Sequence, residues 1–370
     1  MNIFAAILAL VLHVAPGESV NAALNQARAA YAASGETTTV YIAPGDYEEE
    51  LTIDVPGLRL INASPTPSIA VRNGGIDLDS NAVRLTWYYG HGYQYASMHG
   101  QFNYGGKRAR RWNASTLVTA PDFYAENIIF QNSFNLYVST AEARDTLVDI
   151  SQARNDWTPN ERPKRIMPVR PKDIGNTDVQ TRFYRERASA LSFTSEAKNC
   201  TLVNCRVVGR QDALYGDHGA SATILGGVLA GAVDYIFGGL TLTVREAQLV
   251  AMVGAEKNDN CYISAGRAAT PDNLAKLSPE SRDSVPEDEI TDRGMIFVDC
   301  QVRHATTDEL RNPGHAPVYL GRPWRWWGET VFVNTQAAPG VLSEERWSLG
   351  LTKGHPAPFV KEDLSTPPLR

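Results

Sequence analysis

The sequence predicts an all-β chain wound as a parallel solenoid, a β-helix, on three observations. Short strand-like runs recur every 20 to 22 residues, counted between positions 205, 227 and 247. Turn residues separate the runs, and little helical periodicity lies between them. Hairpin signals of the Asn-Gly or Asp-Gly type are scarce from 200 to 250. A unit this short cannot bury its own apolar face, so each must stack on its neighbours. A β-sandwich with coincidental spacing is the alternative, and it would show the hairpin turns.

Residues 3–12 (IFAAILALVL) form a ten-residue apolar run, the length of a signal-peptide core and too short to span a bilayer. No Lys or Arg precedes it and no clean small-x-small site follows, so a first strand or capping helix of the fold stands beside the leader reading. Residues 18–33, between Pro16-Gly17 and Ser34-Gly35, predict the one good helix, placed to cap an open end of the stack. The runs 203–209, 225–231, 245–251 and 298–302 then align with one another. Three segments break the rhythm and read as long loops: the aromatic run 87–104, the Pro-containing basic stretch 137–184, and the polar stretch 256–292. The expected organisation is an apolar segment 1–12, a β-helix domain 13–350 carrying insertions near 137–184 and 256–292, and a tail 351–370.

With 370 residues, 43% hydrophobic and 21% charged, the composition is globular and excludes a disordered chain or a coiled coil. A net charge of −6 argues against a nucleic-acid partner, while leaving room for a local basic patch. Cys200, Cys205, Cys261 and Cys300 lack zinc or disulfide spacing and are expected as buried thiols. The seven histidines form no HExxH-type pair, so no metal is expected. No later stretch approaches a membrane span, so no membrane partner is expected.

The sharpest feature is a pair. Asp212 lies seven residues after Cys205, and Asp234 seven after Gly227, so they share one position in consecutive coils. Equivalent residues on adjacent strands are about 4.8 Å apart. Two carboxylates that close are expected to split their pKa values, the arrangement of a nucleophile or base beside a proton donor. Asp234 sits within the apolar run Gly231-Ala-Val-Asp-Tyr-Ile-Phe-Gly238. The alternative is that both aspartates cap turns at a coil corner. Arg322, in Tyr319-Leu-Gly-Arg-Pro-Trp324, is the candidate cation to hold a nucleophilic carboxylate. Trp324, Trp326, Trp327, Tyr215 and Tyr235 offer aromatic faces that suit sugar rings, with core packing as the competing role.

Together, Gly209-Arg-Gln-Asp-Ala-Leu-Tyr215, the 231–238 run and Tyr319-Leu-Gly-Arg-Pro-Trp324 resemble the pectin methylesterase (pectinesterase) family, carbohydrate esterases that demethylate homogalacturonan. Tyr262-Ile-Ser-Ala-Gly-Arg267 and the segments 113–118 and 127–132 add weaker support. The resemblance runs from about residue 14 to 347, the two insertions excepted. It implies a right-handed, single-stranded parallel β-helix, no cofactor, and pectin or methylated oligogalacturonides as partner. It implies a secreted or periplasmic monomer, or a cytoplasmic enzyme acting on imported oligomers. It makes Asp234 the nucleophile, Asp212 the acid and base, Gln211 the oxyanion donor, Arg322 the partner of Asp234, and Trp324 a wall of the sugar subsite. Tyr215, Tyr235, Phe237, Ser189 and Trp326 are the further expected lining.

The departures matter. Ser189 stands where the family usually has a second glutamine, Ala213 where it has Thr, and Ser221 where an Arg is common. Compensation is expected from Ser189 itself, from Glu186 or Arg187, or from the 137–184 stretch, whose Arg162, Lys164 and Arg165 would contact free galacturonate carboxylates. A β-helix esterase or thioesterase on another substrate, and a catalytically weakened carbohydrate-binding β-helix, are the rival readings. A calcium-dependent lyase is disfavoured, because no acidic cluster surrounds 200–240.

Overall fold

Left-handed corners shape each coil. Asn127, Asn204, Glu246 and Asp299 have φ between 44° and 56° and stand at the same point of successive coils, joined there by Gly226 at 67°. Asparagine tolerates this conformation better than most residues, and Asn204 Nδ2 donates to Asn127 Oδ1 at 2.6 Å, tying one corner to the next. In the computed structural model, which describes residues 9–91, 93–99, 114–149, 170–180, 187–254, 260–352 and 359–365, these corners bend the chain between two strands of one coil. A third strand completes it.

One coil thus runs Leu214–Gly216, Ser221–Leu225, Val228–Gly231, and the next runs Ile236–Gly238, Thr241–Arg245, Gln248–Ala251. Each strand pairs in parallel with its counterpart, Leu214 with Ile236, Ser221 with Thr241 and Val228 with Gln248. The aligned runs keep register through Arg206, Val228, Gln248 and Gln301. The chain is therefore the right-handed parallel β-helix expected.

Stacking puts like beside like in the interior. Leu202, Ile224, Val244, Phe297 and Phe332 form one in-register column of fully buried side chains. Its last two rings stack with centroids 4.4 Å apart. All four cysteines are free and buried, as expected. Burial pushes the Cys200 and Cys205 thiols up to about 12 and Cys300 to about 11, which keeps them protonated and unreactive.

The predicted helix forms over Val20–Ser34, with Ser19 capping its start and Gly35 ending it at φ 71°. Val20, Ala23, Leu24 and Ala27 bury one face in the main core and close the first coil. Leu10–Val14 pairs in parallel with Thr38–Ile42, so this part of the apolar run is a strand of the stack, while residues 1–8 lie outside the described residues. Among the described residues, no helix is long and apolar enough to cross a membrane.

Where the structure describes them, the three interruptions pack against the stack rather than projecting as loops. Tyr88, Tyr89, Tyr93 and Tyr95 are buried with Phe134 and Ala188 in a satellite core, and Gln94–Tyr95 pairs antiparallel with Leu147–Asp149. In the second stretch Arg170 is buried and ion-paired to Glu142 at 2.7 Å, so it is internal and not a substrate contact. Arg154, Arg162, Lys164, Arg165 and Glu186 lie outside the described residues. The described part of the third stretch carries two short helices, Pro271–Leu274 and Pro279–Asp283, with Leu274, Leu277 and Val285 packed on Trp326 and Trp327.

Candidate active site

A seven-stranded parallel sheet carries the site. In spatial order its strands are Leu51–Ile53, Thr116–Val118, Leu191–Phe193, Leu214–Gly216, Ile236–Gly238, Cys261–Gly266 and Val318–Gly321. Asp212 and Asp234 immediately precede the fourth and fifth of these. Gln211 bridges to Val233 and Leu214 pairs with Ile236, so the two aspartates stand level on consecutive coils. Both adopt the left-handed region, at φ 58° and 49°, and Asp212 N donates to Val233 O at 3.0 Å. The corners at Asn204, Glu246 and Asp299 are exposed, whereas these two carboxylates, like Asn127, are buried, at 4% and 9% exposure. A strained conformation repeated on two buried carboxylates is a feature of functional sites more than of turn caps.

The coils approach closely just before the aspartates. A Cβ on Gly231 would lie 2.2 Å from Tyr235 Cβ and 2.7 Å from Gly209 O, so the glycine opening the second motif is required by packing, and one on Gly209 would be tight, 3.0 Å from Ala188 O.

Arg322 follows Val318–Gly321, two coils beyond Asp234. Its guanidinium passes 4.5 Å over the Tyr262 ring and grips the carboxylate with both oxygens, Nε to Oδ1 at 2.6 Å and Nη2 to Oδ2 at 2.7 Å. Burial works against the Arg322 charge, and the Asp234 carboxylate more than offsets it, so the guanidinium titrates above its ordinary range.

Three rings back the site, two from consecutive coils and a third from two coils further on. Tyr215 and Phe237 are cross-strand neighbours with centroids 4.7 Å apart, and Phe237 meets Trp324 at 6.0 Å. Tyr215 and Phe237 are almost closed to solvent, so they support Trp324, which is half-buried. The guanidiniums of Arg267 and Arg325 lie 5.0 Å and 5.5 Å from the Trp324 ring. Arg267 is itself held, donating to His218 Nε2 at 2.6 Å and paired with Glu289 at 3.1 Å. Burial first, then the Arg267 charge, depresses His218 to about 4, which keeps Nε2 an acceptor at neutral pH. This support of Trp324 was not assigned from sequence; its one signal was Arg267 at the end of the 262–267 motif.

Three expectations change. Tyr235 is 1% exposed and sits in the β-helix core, its hydroxyl without a hydrogen-bond partner among the described residues, so it does not face a substrate. Trp326 packs with Trp327 against the helical insertion, away from the Tyr215, Phe237 and Trp324 cluster. Ser189 is fully buried, and its Oγ donates toward the carbonyls of Leu191 and Ala213, 3.2 Å and 3.1 Å away, and contacts Ser192 Oγ at 3.0 Å. The cause is register. Arg187 bridges to Gln211 and Leu191 pairs with Leu214, so three residues, Ala188 to Ala190, span what Asp212 and Ala213 span in the next coil. The extra residue turns Ser189 inward. Arg187 takes the place beside Gln211, and its Nε lies 3.4 Å from Asp212 Oδ2.

Residues 180–349 match the family model described as Pectinesterase, and this stretch holds every residue of the site just described. The chain resembles the pectinesterase family. A pectinesterase/pectinesterase inhibitor of Prunus persica is 24% identical over 162 residues, 44% of this chain and 27% of that protein. A probable pectinesterase A of Aspergillus fumigatus is 27% identical over 165 residues, 45% of this chain and 42% of that protein. The aligned part thus spans well under half of these relatives' own length. Among solved structures, a pectin methylesterase in complex with a hexasaccharide superposes with a TM-score of 0.58 at 17% identity, covering 98% of this chain and 90% of that one. Pectin methylesterase PemA from Erwinia chrysanthemi gives 0.57 at 16%, with the same coverage. The pectinesterase-like fold therefore extends through the first half of the chain, where the family model does not match.

Proposed function

We propose that the chain is a carboxylic-ester hydrolase, a pectin methylesterase that releases methanol from the C6 methyl esters of homogalacturonan. The observation that carries this reading is the paired aspartates on consecutive coils, with Asp234 gripped through both oxygens by Arg322. A buried carboxylate gripped by a guanidinium through both oxygens is aimed and largely desolvated, as a nucleophile requires.

In this reading an Asp234 oxygen attacks the ester carbonyl carbon, and the carbonyl oxygen takes up the electron pair as an oxyanion facing Gln211. Collapse breaks the bond to the methoxy oxygen, which receives a proton from Asp212 and leaves as methanol. The acyl group remains on Asp234 as an anhydride. Asp212, now a carboxylate, takes a proton from water; the hydroxide attacks the acyl carbon, and Asp234 departs as a carboxylate. The half-exposed Trp324 supplies the face against which a sugar ring stacks. Action on a wall polymer implies placement outside the producing cell.

The test is methanol release from highly methylated citrus pectin and from short methylated oligogalacturonides, by the wild type and Asp234→Ala side by side. Release by the wild type alone is expected. No release from either substrate by folded wild-type protein would move the reading to a different ester.

A further inference from the structure

The extra residue in the coil before Gln211 has a consequence for Asp212. It places Arg187, and not Ser189, on the cleft ladder next to Gln211. The main chain of Arg187 is anchored on both sides: its carbonyl accepts from His91 N at 2.7 Å, and Ala188 N donates to Gln211 O at 3.1 Å. The buried His91 also sets its Nδ1 3.5 Å from Arg187 Nη1. From there the guanidinium reaches the almost fully buried Asp212 carboxylate at 3.4 Å.

Each aspartate of the pair thus has its own guanidinium, Arg322 on Asp234 and Arg187 on Asp212. Among the described residues, the charged and titratable groups facing Asp212 are Arg187 from the coil before, Asp234 from the coil after, Arg322 beyond Asp234, and His91 behind Arg187. Across the site the two carboxyls lie between the two guanidiniums. The two guanidiniums offset the repulsion that a bare carboxylate pair would carry.

We propose that Arg187 is the positioning residue of Asp212, lying beside its carboxyl and setting the pH at which it takes up and returns the catalytic proton. The proposal rests on the esterase reading for its kinetic meaning and on geometry alone for the Arg187–Asp212 relation. When Asp212 passes its proton to the departing methoxy oxygen, its O–H bond breaks, an O–H bond of methanol forms, and the charge left on Asp212 falls beside Arg187. When Asp212 takes a proton from water in the second half, that charge is cancelled and the pair loosens. An amide at this position would orient the oxyanion but would not bias Asp212.

The experiment is a titration of aspartate carboxyls by carbon-13 NMR in the full chain, with the Asp212 signal assigned through Asp212→Asn. Arg187→Gln and Arg187→Met, both neutral, are compared with wild type and with Arg187→Lys. The neutral variants are expected to raise the Asp212 midpoint by about one pH unit or more, roughly tenfold in proton affinity, with Arg187→Lys retaining most of the wild-type value. The alkaline limb of kcat/KM for methanol release should move up with it. An unchanged midpoint in either folded neutral variant overturns the proposal, even if activity falls. If wild type releases no methanol, the esterase reading fails, and the midpoint still decides whether Arg187 governs Asp212.

Discussion

Arg322 holds Asp234 in a two-pronged grip, Nε on Oδ1 at 2.6 Å and Nη2 on Oδ2 at 2.7 Å, after reaching back two coils across the face of Tyr262. The glycine before it and the proline after it fix the backbone that presents the fork, and Arg322 N donates to Ser264 O at 2.9 Å. The planar guanidinium fixes both oxygens of Asp234 in one orientation.

Lysine cannot reproduce that fork. Arg322→Lys is expected to keep the fold and to lower kcat for methanol release by about 100-fold, the scale of losing one preorganised charge contact. Equal rates in the two proteins would show that the grip on Asp234 does not serve the chemistry.

Ser189→Ala removes hydrogen bonds to buried carbonyls and leaves the cleft untouched. The expected result is a loss of about 1 kcal/mol in stability by urea denaturation with kcat within about threefold of wild type. Ser189→Gln should cost about 1–3 kcal/mol, because a longer side chain is forced into a filled site. A rise in activity on Ser189→Gln would contradict the inward orientation.

Tyr235→Phe deletes a hydroxyl buried in the core without a partner among the described residues. Stability is expected to hold or to rise by about 1 kcal/mol, with KM for pectin unchanged. A several-fold increase in KM would return Tyr235 to the substrate face.

Acid should undo the buried network around Glu309. Burial raises the Glu309 carboxyl, but the Arg303 and Arg206 guanidiniums outweigh it and bring it down to about 2. A folded-state value below the ordinary one means stability fully present above about pH 4.5 and lost as pH falls through about 2. His218, at about 4 in the folded chain, acts in the same direction from its ordinary 6.5 downward. Melting temperatures measured from pH 7 to 2 should therefore fall steadily below pH 6. Glu309→Gln should flatten the lower part of that fall while destabilising the chain at pH 7, since it leaves Arg206 without its anion.

The stack itself was legible because period and composition act locally. Each coil repeats the same strand, corner and strand, so 205, 227 and 247 could be aligned by eye, and the level placement of Asp212 and Asp234 followed from that count. The motif glycines and Arg322 were legible for the same reason: close approach and a fixed backbone leave marks on neighbouring residues. What the sequence alone could not decide was register across an irregular coil. Counting back 22 residues from Gln211 lands on Ser189, yet Gln211 bridges to Arg187, 24 residues back, and Leu214 pairs with Leu191, 23 back, so the stretch from Arg187 to Leu191 holds one residue more than that from Gln211 to Leu214, which turns Ser189 into the interior and brings Arg187 to Asp212. Side-chain period in a strand is two, so a single added residue exchanges the faces, and no composition or motif records it. Tyr235 and Trp326 were misread on the same ground: an aromatic beside a motif can face the core or the cleft, and only the packing of neighbouring coils and of the 267–290 insertion selects between them.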